Sequence, residues 1–310
     1  MQTTSIYMKN TTNQINKCRI CGSVNQKSGS YPDIHFNNKV FSYYACNYCY
    51  SYNVFPSPTS SDLELIYGET DHKYFKNISD KISYPEEYHF ANHQGYQIKF
   101  LNEIKNQLQN KTLLDFACGS GFYLNHAQKL GAKVVGIEFN KEFVELLTQK
   151  TNFEIYTLDE ALLKYKDSPF DFIHLGHILE HLTEPQELLN SLKNLAHKTT
   201  VFLIDGPLEK NFCLSRWYVD IGSRLKNKKF NTFAPQHLSL TTNKSQQLFF
   251  KKAGLEKINY QVVEQFFPLP SGFSKSATKN FNFIIAYISI LVSLMIPFSG
   301  NIFHYRGKLK

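Results

Sequence analysis

The chain has 310 residues, 42% hydrophobic and 19% charged, with a formal charge of +8 and an isoelectric point near 9.0. That length and apolar content exclude a disordered chain or a small disulfide scaffold, and suit one α/β domain with a small appendage. The positive balance favours acidic partners: phosphates, anionic membrane surfaces or nucleic acid.

Residues 1–16 are polar and lack an apolar run behind a basic start, so no secretory leader is predicted and a cytoplasmic location is expected. In a reducing compartment, cysteine pairs bind metal more readily than they form disulfides. Cys18-Arg-Ile-Cys21-Gly22 and Cys46-Asn-Tyr-Cys49 are two C-x-x-C pairs with 24 residues between them. Thiolates so spaced in a tight turn reach one tetrahedral zinc, and the second pair closes a structural Cys₄ site. Cys18, Cys21, Cys46 and Cys49 are therefore the predicted Zn²⁺ ligands, with Val40–Ala45 in the connecting hairpin. Pro56 and Pro58 mark the exit from this module, residues 1–58, whose low apolar content makes zinc a condition for its folding.

A helical, mixed-polarity lead-in is predicted over residues 59–110, where Tyr67, Tyr74 and Tyr84 either cover a pocket or pack as ordinary aromatics. The main domain, residues 111–310, opens on TLLDFACGSGFYLNHAQKLGAKVVGIEFN, from Thr112 to Asn140. The run Leu113-Leu114-Asp115-Phe116 reads as a buried parallel strand. Gly119 and Gly121 let the backbone turn sharply and approach a ligand closely. A helix is predicted over Phe122–Leu130, stopping at Gly131, and a strand Val134–Ile137 then ends in Glu138. An acid at that strand tip is where doubly wound folds hold the hydroxyls of an adenosine ribose. The dinucleotide fingerprint G-x-G-x-x-G fails because Leu124 fills the third small position, which disfavours an oxidoreductase.

The pattern acid-x-G-x-G-x-G is met by Asp115-Phe-Ala117-Cys118-Gly119-Ser-Gly121, with Ala117 replacing the first glycine and forbidding the most extreme backbone angles there. This resembles motif I of the class I S-adenosylmethionine-dependent methyltransferases. The resemblance implies a doubly wound, Rossmann-like α/β sheet behind a small N-terminal zinc ribbon. It also implies an S-adenosyl-L-methionine site built from Asp115, Ala117, Cys118, Gly119, Gly121, Glu138 and Phe139. Leu158 and Asp159 would flank the adenine, although Asp159 also reads as the N-cap of a helix over Glu160–Tyr165.

A helix over Lys141–Lys150 and strands near Phe153–Tyr156, Phe170–Leu175 and Thr199–Ile204 continue the alternation. A helix near Lys244–Ala253, closed by Gly254, and a strand within Leu255–Gln265 complete a parallel-sheet pattern.

His177-Ile-Leu-Glu180-His181 follows the fourth strand, and on a helix its three polar residues would share a face. As H-x-x-E-H it superficially matches a metallopeptidase helix, a reading set aside because the motif lies in a cofactor sheet. Ubiquinone-type O-methyltransferases carry a related Glu-x-x-Glu-His here, proposed to hold a divalent metal, and His177 would stand at the first glutamate. The remaining reading is plain pocket closure, with His177 near the cofactor. His181 is the preferred general base for an acceptor hydroxyl, with His177 and His237 as the other catalytic candidates. Amine methyltransferases of nucleic-acid bases place N/D-P-P-Y/F where this chain has Leu175-Gly-His-Ile, and neither Cys118 nor Cys213 follows a proline as in cytosine-C5 enzymes. Nucleic acid is accordingly a secondary partner, with an rRNA acceptor kept open by the charge.

Residues 211–237 form an insertion with Trp217, Tyr218, Arg224, Lys226, Lys228 and Lys229, closed by Pro235-Gln-His237-Leu238. It is similar to a segment of zinc-ribbon methyltransferases of sugar and surface-polysaccharide biosynthesis, which implies that it lines the acceptor pocket. The apolar stretch from Asn282 to Phe298 is short for a bilayer crossing and ends at Pro297. Residues 280–298 are expected to lie in an anionic membrane interface or to pack in a homodimer contact, before a strand over Asn301–Arg306 that pairs with the sixth. The leading functional expectation is methylation of a sugar nucleotide, glycan or lipid-linked intermediate. An rRNA or quinone-like acceptor is the alternative, and a catalytically inactive cofactor-binding scaffold the alternative of another class.

Overall fold

The computed structural model describes residues 17–29, 31–67, 93–214, 216–217, 236–265 and 277–310. The expectations on Tyr74, Tyr84, Tyr218, Arg224, Lys226, Lys228, Lys229 and Pro235 lie outside these residues. Strands β1 (Gln26–Ser28), β2 (Ile34–Phe36), β3 (Lys39–Cys46) and β4 (Tyr52–Phe55) form the ribbon, followed by helix α1 over 60–67 and α2 (His93–Glu103). The main domain contains β5 (Thr112–Phe116), α3 (Phe122–Lys129), β6 (Lys133–Ile137), α4 (Lys141–Lys150), β7 (Glu154–Tyr156), α5 (Leu158–Lys164) and β8 (Phe170–Gly176). It continues through α6 (Pro185–Leu192), β9 (Ala196–Pro207), β10 (Ser239–Leu240), α7 (Asn243–Lys252), β11 (Leu255–Val263), α8 (Ala277–Met295) and β12 (Ile302–Leu309).

Seven of these strands make one sheet in the order β11-β12-β9-β8-β5-β6-β7. The pairings among β5, β6, β7, β8 and β9 are parallel, and β12 runs antiparallel between β9 and β11. Strand order reverses at β5, whose neighbours are β6 and β8. The strands' carboxy ends diverge there and leave a crevice for a ligand. Leu113, Leu114 and Phe116 are fully buried between the helical layers, as the continuous apolar run requires.

Local chemistry fixes the element ends. Asn140 caps α4 by accepting from the Phe143 N–H at 3.2 Å. For α5 the cap is Thr157, in a reciprocal capping box with Glu160. Asp159 is therefore inside the first turn rather than the N-cap, where its charge suits the helix dipole. The expected helix over His177–His181 does not form. His177 takes a left-handed φ of 51° and only a single 3₁₀ turn, Leu179–His181, follows.

The ribbon is tied into the main domain. β4 pairs antiparallel with β10, and Cys18, Ile20, Cys46 and Cys49 belong to the same core cluster as Phe250 and Tyr305. The Val54 N–H donates to the Leu238 carbonyl at 3.0 Å, while the Arg19 guanidinium reaches the same oxygen at 3.3 Å and the Tyr43 hydroxyl donates to the His237 carbonyl at 2.6 Å.

Candidate functional site

Two sites emerge, a four-cysteine cluster in the ribbon and a cleft at the switch point. The four cysteine sulfurs all lie within 4.8 Å of one another, with Cys18–Cys49 and Cys21–Cys46 Sγ separations of 3.6 Å. Four sulfurs on a tetrahedral zinc with bonds of about 2.3 Å stand about 3.8 Å apart. The donor set and spacing fit Zn²⁺ with no position left for a substrate.

The cleft, about 180 Å³, is lined by Gln97, Asp115, Ala117, Cys118, Gly119, Ser120, Phe122, Tyr123, His174, Gly176 and His177. The turn after β5 shapes its floor. Ala117 is held at φ 56°, Gly119 at 53° and Gly121 at 76°. Ala117 sits in the left-handed region at a cost of roughly 1 kcal/mol, within the range that an alanine can reach and short of the angles open only to glycine. Ala117 and His177, both strained, face the same cleft, which is how strain distributes at ligand sites. The Glu138 carboxylate accepts from the Gly119 N–H at 3.0 Å and from the Phe139 N–H at 2.9 Å, fastening the turn to the tip of β6. Of the predicted cofactor residues, Asp115, Ala117, Cys118, Gly119 and His177 line the cleft, whereas Gly121, Glu138, Phe139, Leu158 and Asp159 are not among its lining. A Cβ at Gly176 would strike the Gln97 amide and lie 2.8 Å from His174 Cε1, so this wall admits only glycine.

Beneath the cleft is a buried polar group that sequence reasoning missed. His174 donates to Asp115 at 2.6 Å and to Asp205 at 2.9 Å. Gln97 donates to the other oxygen of Asp205 at 2.9 Å, and Tyr123 stacks on the His174 ring at 3.6 Å. Burial alone would lower the His174 pKa, but the two carboxylates overcome it and raise it to about 9. Burial pushes the Asp115 carboxyl up, whereas at Asp205 the effect of burial is outweighed by the His174 hydrogen bond, which holds it down. The two carboxyls shift in opposite directions, so the firm negative charge belongs to Asp205, the one with more hydrogen-bond donors. The signal available in sequence was a histidine and an aspartate inside the apolar strands FDFIHLG and VFLIDG.

His177 connects this group to a second cluster at the cleft's rim. Its ring lies 3.6 Å from Asp205 and 3.8 Å from Glu180. Glu180, His181 and His237 each offer one donor atom within 4.8 Å of the others. His181 Nδ1 bonds the Gln236 carbonyl at 2.8 Å, and His237 Nδ1 bonds the Glu209 carboxylate, which leaves both Nε2 atoms for a ligand. The Tyr67 hydroxyl bonds the Gln236 carbonyl at 3.4 Å, placing that predicted pocket tyrosine beside the cluster. Burial pushes Glu180 up to about 8 and His181 down to about 4. At His237 burial works downward, but the Glu209 hydrogen bond and charge outweigh it and the pKa is raised. Two imidazoles and a carboxylate can hold a divalent cation. His237 takes the place in that set that the sequence pattern assigned to His177.

The family model described as a methyltransferase domain matches residues 90–260. The chain is 25% identical over 118 residues, 35% of its length and 50% of the relative's, to the ubiquinone biosynthesis O-methyltransferase of Glaesserella parasuis. It is 26% identical over 100 residues, 31% of its length and 42% of the relative's, to that of Coxiella burnetii. The chain spans about half the length of these curated relatives. Among solved structures, the [4+2]-cyclase SpnF matches at a TM-score of 0.52 and 12% identity, over 82% of this chain and 97% of that one, which shows the fold alone.

Proposed function

The chain belongs to the methyltransferase-domain family, with the class I fold of S-adenosylmethionine-dependent enzymes, and from that premise we propose that it methylates a hydroxyl of a small-molecule acceptor. S-adenosylmethionine, when bound, supplies an electrophilic methyl group, so the protein's task is to align an acceptor oxygen and remove its proton. The cleft residues Asp115, Ala117, Cys118 and Gly119, with Glu138 securing the turn, would hold the cofactor. The observation that carries the acceptor half is the convergence of Glu180, His181 and His237 beside His177.

His237 is the base in this reading. Glu209 fixes its Nδ1–H, leaves Nε2 basic, and stabilises the imidazolium that forms when the proton arrives. Carboxylate support makes His237 a stronger base than His181, which burial keeps neutral and which serves to orient the acceptor through Nε2. A phenolic, quinone-like acceptor is favoured over a sugar nucleotide or glycan because the relatives are named as O-methyltransferases of ubiquinone biosynthesis. A second reading keeps the same residues but places a divalent cation on them. The buried Glu180 Oε1, without a hydrogen-bond partner, is what favours it.

Formation of S-adenosylhomocysteine from S-adenosylmethionine with a catechol acceptor tests the proposal. His237→Gln and Glu209→Gln should each lower kcat at least roughly a hundredfold while leaving S-adenosylhomocysteine binding intact. Turnover unchanged in both variants would overturn the assignment, and complete loss of wild-type turnover on dialysis against a chelator, restored by Mg²⁺, would favour the cation.

A further inference from the structure

We infer that α8 docks the enzyme on an anionic membrane surface and that the acceptor is presented from that membrane, which deepens the small-molecule reading above and rests on it. The helix is built inside out. Ala286 and Ser289 are fully buried against the protein, and the Ser289 and Ser293 hydroxyls return to the carbonyls of Ile285 and Ile290, at 2.7 Å in each case. The large apolar side chains Ile284, Tyr287, Ile288, Leu291, Leu294 and Met295 are 42–81% exposed. Their spacing of three and four residues makes one stripe along a helix of about 28 Å. A soluble helix normally presents the reverse arrangement.

The stripe continues onto the loop that carries the acceptor insertion. The Gly300 N–H donates to the Phe212 carbonyl at 3.1 Å and the Asn211 amide to the Phe298 carbonyl at 2.7 Å. Phe212, Trp217 and Phe298 are each about half exposed or more, and aromatic rings of this kind settle at a membrane–water boundary. The strands before and after the helix meet in the sheet, where Val263 pairs with Ile302. No helix among the described residues is long and apolar enough to cross. An orientation in the interface plane satisfies both facts. Ile302 is also level with Pro207, two residues beyond Asp205, so the chain leaving the helix enters the sheet at the same end as the cleft.

Charge selects the occupant. Between Glu264 and Lys310 the chain contains no acidic residue, so no carboxylate of this stretch opposes an anionic surface, and Lys275 and Lys279 precede the apolar stripe in sequence. Two copies with a formal charge of +8 each would repel, and anionic headgroups attract. A lipid-borne acceptor docked there keeps its apolar tail in the bilayer while its polar head reaches the rim cluster.

The test uses the 310-residue chain with vesicles of phosphatidylcholine alone or with phosphatidylglycerol added to make the surface anionic, read by flotation and light scattering. Wild type should float with the anionic vesicles, and Leu291→Glu/Leu294→Glu/Met295→Glu should partition roughly a hundredfold more weakly. S-adenosylhomocysteine binding, measured by calorimetry on the same samples, should be unchanged in the variant and separates this inference from the cofactor reading. Absence of wild-type flotation, or a dimer in solution that the variant dissociates, would overturn it.

Discussion

Replacing His174 by glutamine tests whether an imidazolium is clamped beneath the cleft. Its hydrogen bonds to Asp115 and Asp205 hold its pKa at about 9, against an ordinary value of 6.5. A histidine raised in the folded state contributes stability that is complete below its unfolded value and disappears as pH climbs through the folded one. Here that window runs from about pH 6.5 to 9, and a shift of this size corresponds to roughly 3 kcal/mol. Glu180, pushed up to about 8, loses stability over part of the same range, so the quantity to read is the difference between wild type and variant. His174→Gln leaves two buried carboxyls without their cation and should cost about 3–5 kcal/mol at pH 6.5. That deficit should shrink by roughly 3 kcal/mol at pH 9.5, where the wild-type imidazole is neutral too. Urea unfolding at half-unit pH steps provides the curves. Parallel curves for the two proteins across the window would refute the charged clamp.

Ala117→Gly should raise stability by up to about 0.5 kcal/mol, the left-handed strain relieved less the extra chain entropy of glycine, and a lower melting temperature would contradict the strain at φ 56°. Metal analysis should find one zinc per chain. Stripping it should abolish methyl transfer with S-adenosylhomocysteine binding retained, because the ribbon holds the backbone at His237 and Leu238 while the cleft is built on β5 and β8. Glu138→Ala should weaken cofactor binding at least roughly tenfold through the freed Gly119 turn and one lost charged acceptor, and calorimetry would register it; unaltered affinity would remove Glu138 from the site. In wild type, log kcat should rise with pH through the raised range of His237 and level off above it, as loss of its proton makes the base available.

What could be read from the chain separates by how far apart in sequence the interacting residues lie. Each C-x-x-C pair, the Gly119 turn and α4 are written within a short stretch of chain, and local periodicity and spacing placed them. The clamp needs three strands: Asp115 faces His174 in the β5–β8 register, and Asp205 arrives opposite Gly176 on β9. No spacing rule announces that encounter, although a charged residue in a strand buried on both faces always demands a partner from a neighbouring strand. The rim cluster failed for a different reason. Helical periodicity put His177, Glu180 and His181 on one face, but the left-handed turn at His177 broke the helix and the third member, His237, came from beyond the insertion. For α8 composition was silent about direction, since a helix apolar on every side is as consistent with a core as with a lipid surface. Its small residues carry the missing information. Ala286, Ser289 and Ser293 recur at three- and four-residue spacing, the face that can approach a sheet closely, and once they are assigned inward the bulky side chains have nowhere to point but out.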